Sequence, residues 1–350
     1  LNNVKRIALT AVLLIFAAAA LLPLDMYIQK PGGAYDLAPL VDVQGGDKDD
    51  DGNLSLMTIA LSKATPLTYA VAGFMDSRKI MKAGQVRRDG ESEKEYNLRQ
   101  KQLMEDSQIN AIFVAYSRAG KTVSLETEGV LVLDVVEGSA AEGILEAGDL
   151  ITSVGEVPVD SADAFTDAVA SVPEENAVHL EVVREDGKTE KEITPGTIPG
   201  TGGRKGLGVS FTAKRIIETE PAVEIDTEEI GGPSAGLMFT LEIMNQLLEK
   251  DLTKGYRVAG TGEMSEDGTV GRIGGVDFKV MAADREGIEI FFAPDDEITD
   301  EMRERVPDIR SNYETAAETA EKIGTDMKIV PVKTIDDALD YLEALDAKVE

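Results

Sequence analysis

The chain has 350 residues, 43% of them hydrophobic, which on a prior of roughly 100–200 residues per domain makes about two domains with packed cores. Its formal net charge is −30, from 65 acidic against 35 basic residues, so phosphate backbones are repelled and no nucleic acid is expected as a partner. Cysteine is absent and His179 is the only histidine, which excludes thiol nucleophiles, disulfides, Cys-zinc sites and the HExxH metal motif. No GxxxxGK[ST] sequence occurs either. Gly120-Lys121-Thr122 and Gly187-Lys188-Thr189 both lack the upstream glycine, which argues against a P-loop ATPase in this chain. No metal or cofactor is expected.

Residues 7–24 carry no charge, follow Lys5 and Arg6, and precede Asp25. As a helix this run would extend roughly 27 Å, close to a bilayer core, and the basic flank would stay cytoplasmic. Residues 1–28 are therefore expected to form one transmembrane anchor at the cell membrane, with the rest of the chain extracytoplasmic. The rival is a cleaved signal peptide, for which the alanines at 17–20 offer small residues. The apolar run continuing past them favours the anchor. Residues 29–51 read as a stem containing Gly and Pro. Its end, Asp47-Lys48-Asp49-Asp50-Asp51-Gly52, matches the start of a calcium loop, but Thr58 stands at the twelfth position where a bidentate acid belongs. A polar turn is the better reading. A strand over 54–61, a helix near 66–82 and a charged loop follow. Residues 93–119 contain neither Gly nor Pro and predict a long helix, ending at Arg118 and Gly120.

From Gly129 the pattern changes to short β-rich runs: a strand over 130–136, a helix near 163–172, and a strand over 177–184 closed by the turn Glu185-Asp186-Gly187-Lys188. With Ala147, Gly148, Asp149, Ile151 and Gly155 at its centre, the stretch 126–196 resembles a bacterial PDZ domain. The resemblance implies capture of an extended peptide, through its C-terminus, at a sheet edge beside a helix. It implies a carboxylate-binding loop at Thr127, Glu128, Gly129 and Val130. A spacer that binds nothing is the bland alternative. His179 falls in the same strand pattern and reads as a packed or surface residue.

A Gly/Pro-rich linker over 195–206 leads to strands over 207–217 and 222–226. Then comes Gly232-Pro233-Ser234-Ala235-Gly236, which fits GxSxG. An α/β-hydrolase would need a histidine downstream of the serine, and none exists, so a nucleophilic Ser234 needs another base, for which lysine is the obvious choice. Pro233 suits a first helical position, placing Ser234 in the first turn of a helix over 237–249, where unpaired N–H groups could hold an oxyanion. The donors are expected from Ser234 itself and the Gly231–Gly232 turn. A serine that merely caps a buried helix is the plain alternative. In Gly274-Gly275-Val276-Asp277-Phe278-Lys279-Val280-Met281, one lysine sits in an apolar setting at a helix start. Burial beside Phe278, Val280 and Met281 would lower its pKa and free its lone pair for proton transfer.

The series GGPSAG, GTGE and IGGVDFK, in that order and spacing, resembles the Lon-type serine peptidase domain. That resemblance implies Ser234 as nucleophile, Lys279 as general base and Thr261 as a hydrogen-bonding support, with Gly231 and Gly232 supporting the nucleophile. Residues 102–111 and the strand before them resemble the first part of the same domain. ATP-dependent Lon enzymes carry Asp two residues before the proline, where this chain has Gly231; the departure is compatible with the anchored, PDZ-containing relatives called YlbL-like. The implied organisation is an α/β (α+β) Lon proteolytic domain in two parts, 52–122 and 206–346, with a PDZ domain over 126–196 inserted or adjoining. The implied function is an ATP-independent serine endopeptidase acting on unfolded or flexible extracytoplasmic proteins. A non-catalytic PDZ adaptor with a vestigial peptidase fold is the alternative, and association into a homo-oligomer is left open.

Overall fold

The computed structural model describes residues 3, 5–7, 10, 20–48, 51–88, 90–173, 175–184, 186–227, 230–248 and 250–348. Most of the apolar run at 7–24 lies outside these residues; among the described residues no helix is long and apolar enough to cross a membrane. Asp49 and Asp50 of the acidic loop also lie outside them, and among the described residues no group of three or more candidate metal ligands forms.

Residues 29–51 are not a stem. They supply most of strand β1 (Met26–Asp36) and all of β2 (Val41–Val43), and Leu37, Val41 and Val43 are buried. Gly32, which reads as linker composition, is required because a Cβ there would come within 2.4 Å of Thr58 Oγ1 on the paired strand. That partner is β3 (Asn53–Lys63), antiparallel to β1. The helix expected near 66–82 is shorter: α1 (Pro66–Ala72), capped by Thr65, stops at Gly73. Lys79 to Lys82 instead form β4 (Lys79–Lys82), which pairs with β1. Helix α2 (Glu93–Arg118) opens on a Ser92–Glu95 capping box, with Glu93 and Glu95 at its positive end and Arg118 at its negative end.

The chain then leaves this sheet along β5 (Thr122–Val135). It runs through β6 (Leu150–Val154), β7 (Val157–Pro158), α3 (Ala162–Ser171), β8 (Val178–Arg184) and β9 (Gly187–Ile193). After two short pairing segments, β10 (Gly196–Thr197) and β11 (Lys205–Gly206), it returns along β12 (Val209–Glu220). The second sheet has the order β12-β5-β6-β8-β9, around its own core of Val130, Val132, Ile151, Phe165, Leu180 and Val182. Strands β5 and β12 pair along their whole length, so their outer halves belong to this sheet and their inner halves pack on α2.

Back in the larger body, β13 (Val223–Ile225) pairs with β2, and α4 (Gly236–Leu247) follows, buried on all sides from Gly236 to Gln246. Then come β14 (Arg257–Gly260), the hairpin β15 (Glu263–Met264) and β16 (Val270–Gly271), and α5 (Val276–Arg285). β17 (Ile290–Pro294), α6 (Asp300–Arg305), α7 (Asn312–Ile323), β18 (Lys328–Val332) and α8 (Ile335–Ala344) complete the chain. The main sheet runs β18-β17-β14-β3-β1-β4. Its residues alternate between two cores: Val258, Ile290, Phe292 and Val330 face α2, α4 and α8, while Ala259, Phe291 and Ala293 face α5 and α7. The result is a three-layer α/β/α sandwich, and the candidate chemistry sits at the end of its sheet.

Candidate active site

Ser234 and Lys279 come from opposite layers. Helix α4 begins at Gly236 with Ala235 as its N-cap, three residues later than a Pro233 start implies, so Ser234 lies in the turn just before the helix. Lys279 is in the first turns of α5. Gly275 caps that helix at a φ of 70°, a left-handed conformation that favours glycine. Strand β14 ends between them, delivering Thr261 to the gap, and the Thr261 N–H is held by the Phe292 carbonyl at 3.0 Å.

Lys279 Nζ lies 2.7 Å from Ser234 Oγ and 2.9 Å from Thr261 Oγ1. The Thr261 hydroxyl in turn donates to the Ser234 carbonyl at 2.9 Å. Thr261 therefore accepts from Lys279, which directs the remaining valence of Nζ at Ser234. Lys279 is 3% exposed, and burial pushes its pKa down from 10.5 to about 7. Phe278 and Val280 are buried with it, but Met281 is not part of that setting. It faces a separate hollow with Lys30, Met75 and Arg285, as expected for a residue two positions along a helix.

A cleft of about 600 Å³ opens over the pair, lined by residues 56–61 of β3, Gly231, Gly232 and Ser234. Along β3, β14 pairs only with Asn53 to Leu56, so no strand among the described residues covers that side of Met57 to Lys63. The turn before Ser234 is fastened from α2 by two bonds with no sequence signature. The Ser107 hydroxyl donates to the Pro233 carbonyl (2.8 Å), and the Gln100 carbonyl accepts from the Gly232 N–H (3.0 Å). Gly232 is therefore engaged and is not an oxyanion donor, which corrects that expectation.

Residues 226–344 match the family model described as the Lon protease (S16) C-terminal proteolytic domain, and residues 117–194 match the PDZ domain model. This chain carries a Lon-type proteolytic domain and a PDZ domain. The Lon protease of Xanthomonas oryzae pv. oryzae is 33% identical over 137 residues, 39% of this chain and 14% of that protein. The Lon protease of Metamycoplasma arthritidis is 31% identical over 140 residues, 40% of this chain and again 14% of the relative. The chain thus spans about one-seventh of the length of these relatives. Among solved structures, the PDZ domain of the SdrC-like protein from Listeria innocua is 32% identical, covering 24% of this chain and 92% of that one, with a TM-score of 0.22.

Within the PDZ domain the carboxylate-binding loop cannot be Thr127, Glu128, Gly129 and Val130. These residues lie inside β5, where Thr127, Gly129 and Val130 pair with β12 and Val130 also pairs with Ile151 of β6. They are paired strand and not a loop, and at Val130, paired on both sides, no edge is left to offer a peptide. Of the two end strands of this sheet, β12 and β9, β12 lies against α3, with Phe211 edge-on to Phe165 at 4.8 Å. Gly208, at φ 85° directly before β12, is the turn signal that could have pointed there. His179 is exposed on β8 and faces Glu192 at 3.2 Å, well apart in the fold from the Ser234 turn.

Proposed function

We propose that this chain is a serine endopeptidase in which Ser234 is the nucleophile and Lys279 the general base. The carrying observation is the 2.7 Å approach of Nζ to Oγ in a site where burial brings the lysine to about 7. The neutral amine takes the Ser234 proton as Oγ attacks the scissile carbonyl, and the resulting ammonium returns it to the leaving amine. The Ser234 N–H, at the positive end of α4, donates to no group among the described residues and would face the oxyanion. An extended substrate fits the uncovered edge of β3 at Met57 to Lys63, and a captured peptide C-terminus fits β12 beside α3. The apolar run at 7–24 supports a membrane-anchored enzyme acting outside the cytoplasm. The missing P-loop supports ATP-independent cleavage of chains that are already unfolded. A non-catalytic adaptor would have no use for a lysine buried against a serine, which argues for the enzyme.

Ser234→Ala and Lys279→Ala should each abolish cleavage of an unfolded casein-like protein and labelling of Ser234 by a serine-reactive phosphonate, with circular dichroism unchanged. Substantial turnover by folded Lys279→Ala would overturn the assignment.

A further inference from the structure

Helix α1 is built inside out. Of its seven residues only Ala72 is buried, while Leu67 (54%), Tyr69 (42%) and Val71 (40%) are exposed. The turn after it exposes Phe74 at 92% and Met75 at 41%. Single exposed apolar residues are ordinary, but five within nine positions form a patch that water disfavours. The patch continues towards the N-terminal apolar run: the Leu67 N–H donates to the Ala20 carbonyl, and Leu21 and Leu22 beside it are 66% and 62% exposed.

The charge around the patch is opposite to that of the molecule. Residues 60–88 contain six basic side chains, Lys63, Arg78, Lys79, Lys82, Arg87 and Arg88, against one acid, Asp76, in a chain of net charge −30. The lone acid is bound to Lys322 at 3.0 Å. Among the described residues Arg78, Lys79 and Lys82 are in no ion pair with an acid, and Lys79 and Lys82 are exposed on the edge strand β4. An apolar tip ringed by unpaired cations is the surface that inserts at a headgroup boundary and attracts anionic lipid.

We infer that α1, the Phe74 turn and β4 form a lipid-contacting face that seats the proteolytic domain on an anionic phospholipid surface. This contact is separate from the anchor and goes beyond it; it rests on the proposed membrane attachment only in needing a bilayer close by. Because β3 runs directly into α1, the contact would also fix how the uncovered edge of β3 faces the bilayer.

The chain contains no tryptophan, so Phe74→Trp introduces a single reporter at a fully exposed position, and Val157→Trp on the PDZ domain serves as its control. Both full-length variants are reconstituted into vesicles of phosphatidylcholine with phosphatidylglycerol. Trp at 74 should emit to the blue of Trp at 157, be quenched by brominated phospholipid and be shielded from iodide. Changing Lys79 and Lys82 to Gln should shift the shielded-to-exposed equilibrium about fivefold per charge towards exposed, and only in anionic vesicles. Iodide-accessible Trp at 74 in protein that floats with vesicles overturns this inference alone. Protein that does not float with vesicles overturns the anchor as well. A blue shift without bromolipid quenching identifies a second protein copy as the occupant and overturns the lipid assignment.

Discussion

At the residue scale, the decisive quantity is the proton on Lys279. With a folded pKa near 7, activity should rise along one ascending limb centred near pH 7, and His179→Ala should leave that limb in place. The same shift carries a stability cost. Between about 7 and the unfolded value of 10.5 the unfolded chain binds one more proton at this site than the folded chain, so stability rises with pH across that window. Below 7 the cost is present in full. Lys279→Met, which keeps the volume and discards the charge, should therefore be more stable than the parent by on the order of a few kcal/mol at pH 6, the gain fading towards pH 10.5 in denaturant titrations. Thr261→Val should fold normally and lower kcat by about 100-fold with little change in KM, because it removes the acceptor that aims Nζ. Ser234, Thr261 and Lys279 were legible in the sequence, since each sits in a short motif whose glycines are visible. Ser107 and Gln100 were not. They hold the turn before Ser234 across more than a hundred residues of chain, and nothing local in α2 distinguishes them from other polar positions.

At the scale of elements, sequence reading succeeds where one face of a segment is set by its own residues. Helix α2 was legible from end to end because its caps, charges and lack of Gly and Pro all lie within it. Residues 29–51 read as a stem for the opposite reason: Gly32 and Gly33 look like linker residues until Thr58 of β3 is seen packed against them. The sequence points to β5 for the peptide site and not to β12 because pairing partners decide which strand is an edge, and β12 lies roughly eighty residues beyond β5 in sequence. That correction has a measurable consequence. A short peptide with a free C-terminus, titrated against the protein, should shift the amide resonances of Val209 to Ala213 and of α3, and leave those of Thr127 to Val130 nearly unmoved. The reverse pattern would restore the original loop.

At the scale of the whole molecule, no described group is arranged to hold a divalent cation and no P-loop sequence is present, so hydrolysis of an unfolded substrate should be the same with ATP added or with EDTA added. A marked loss on chelation would point back to the acidic loop at 47–52. The strongest fact at this scale is that β12 serves both bodies. Besides its place in the second sheet it is tied to the larger one, where Lys214 pairs with Glu105 and Arg215 with Asp106 and Glu266, while Arg88 holds Ser210. A domain joined by a flexible tether could offer its captured chain at any distance. This one is joined by a stiff paired ribbon riveted to α2, so a C-terminus held on β12 stands at a set span from Ser234. The enzyme would then measure as well as cut: peptides shorter than that span can be gripped or cleaved, but not both at once, and the first fragment released from the gripped end has a minimum length.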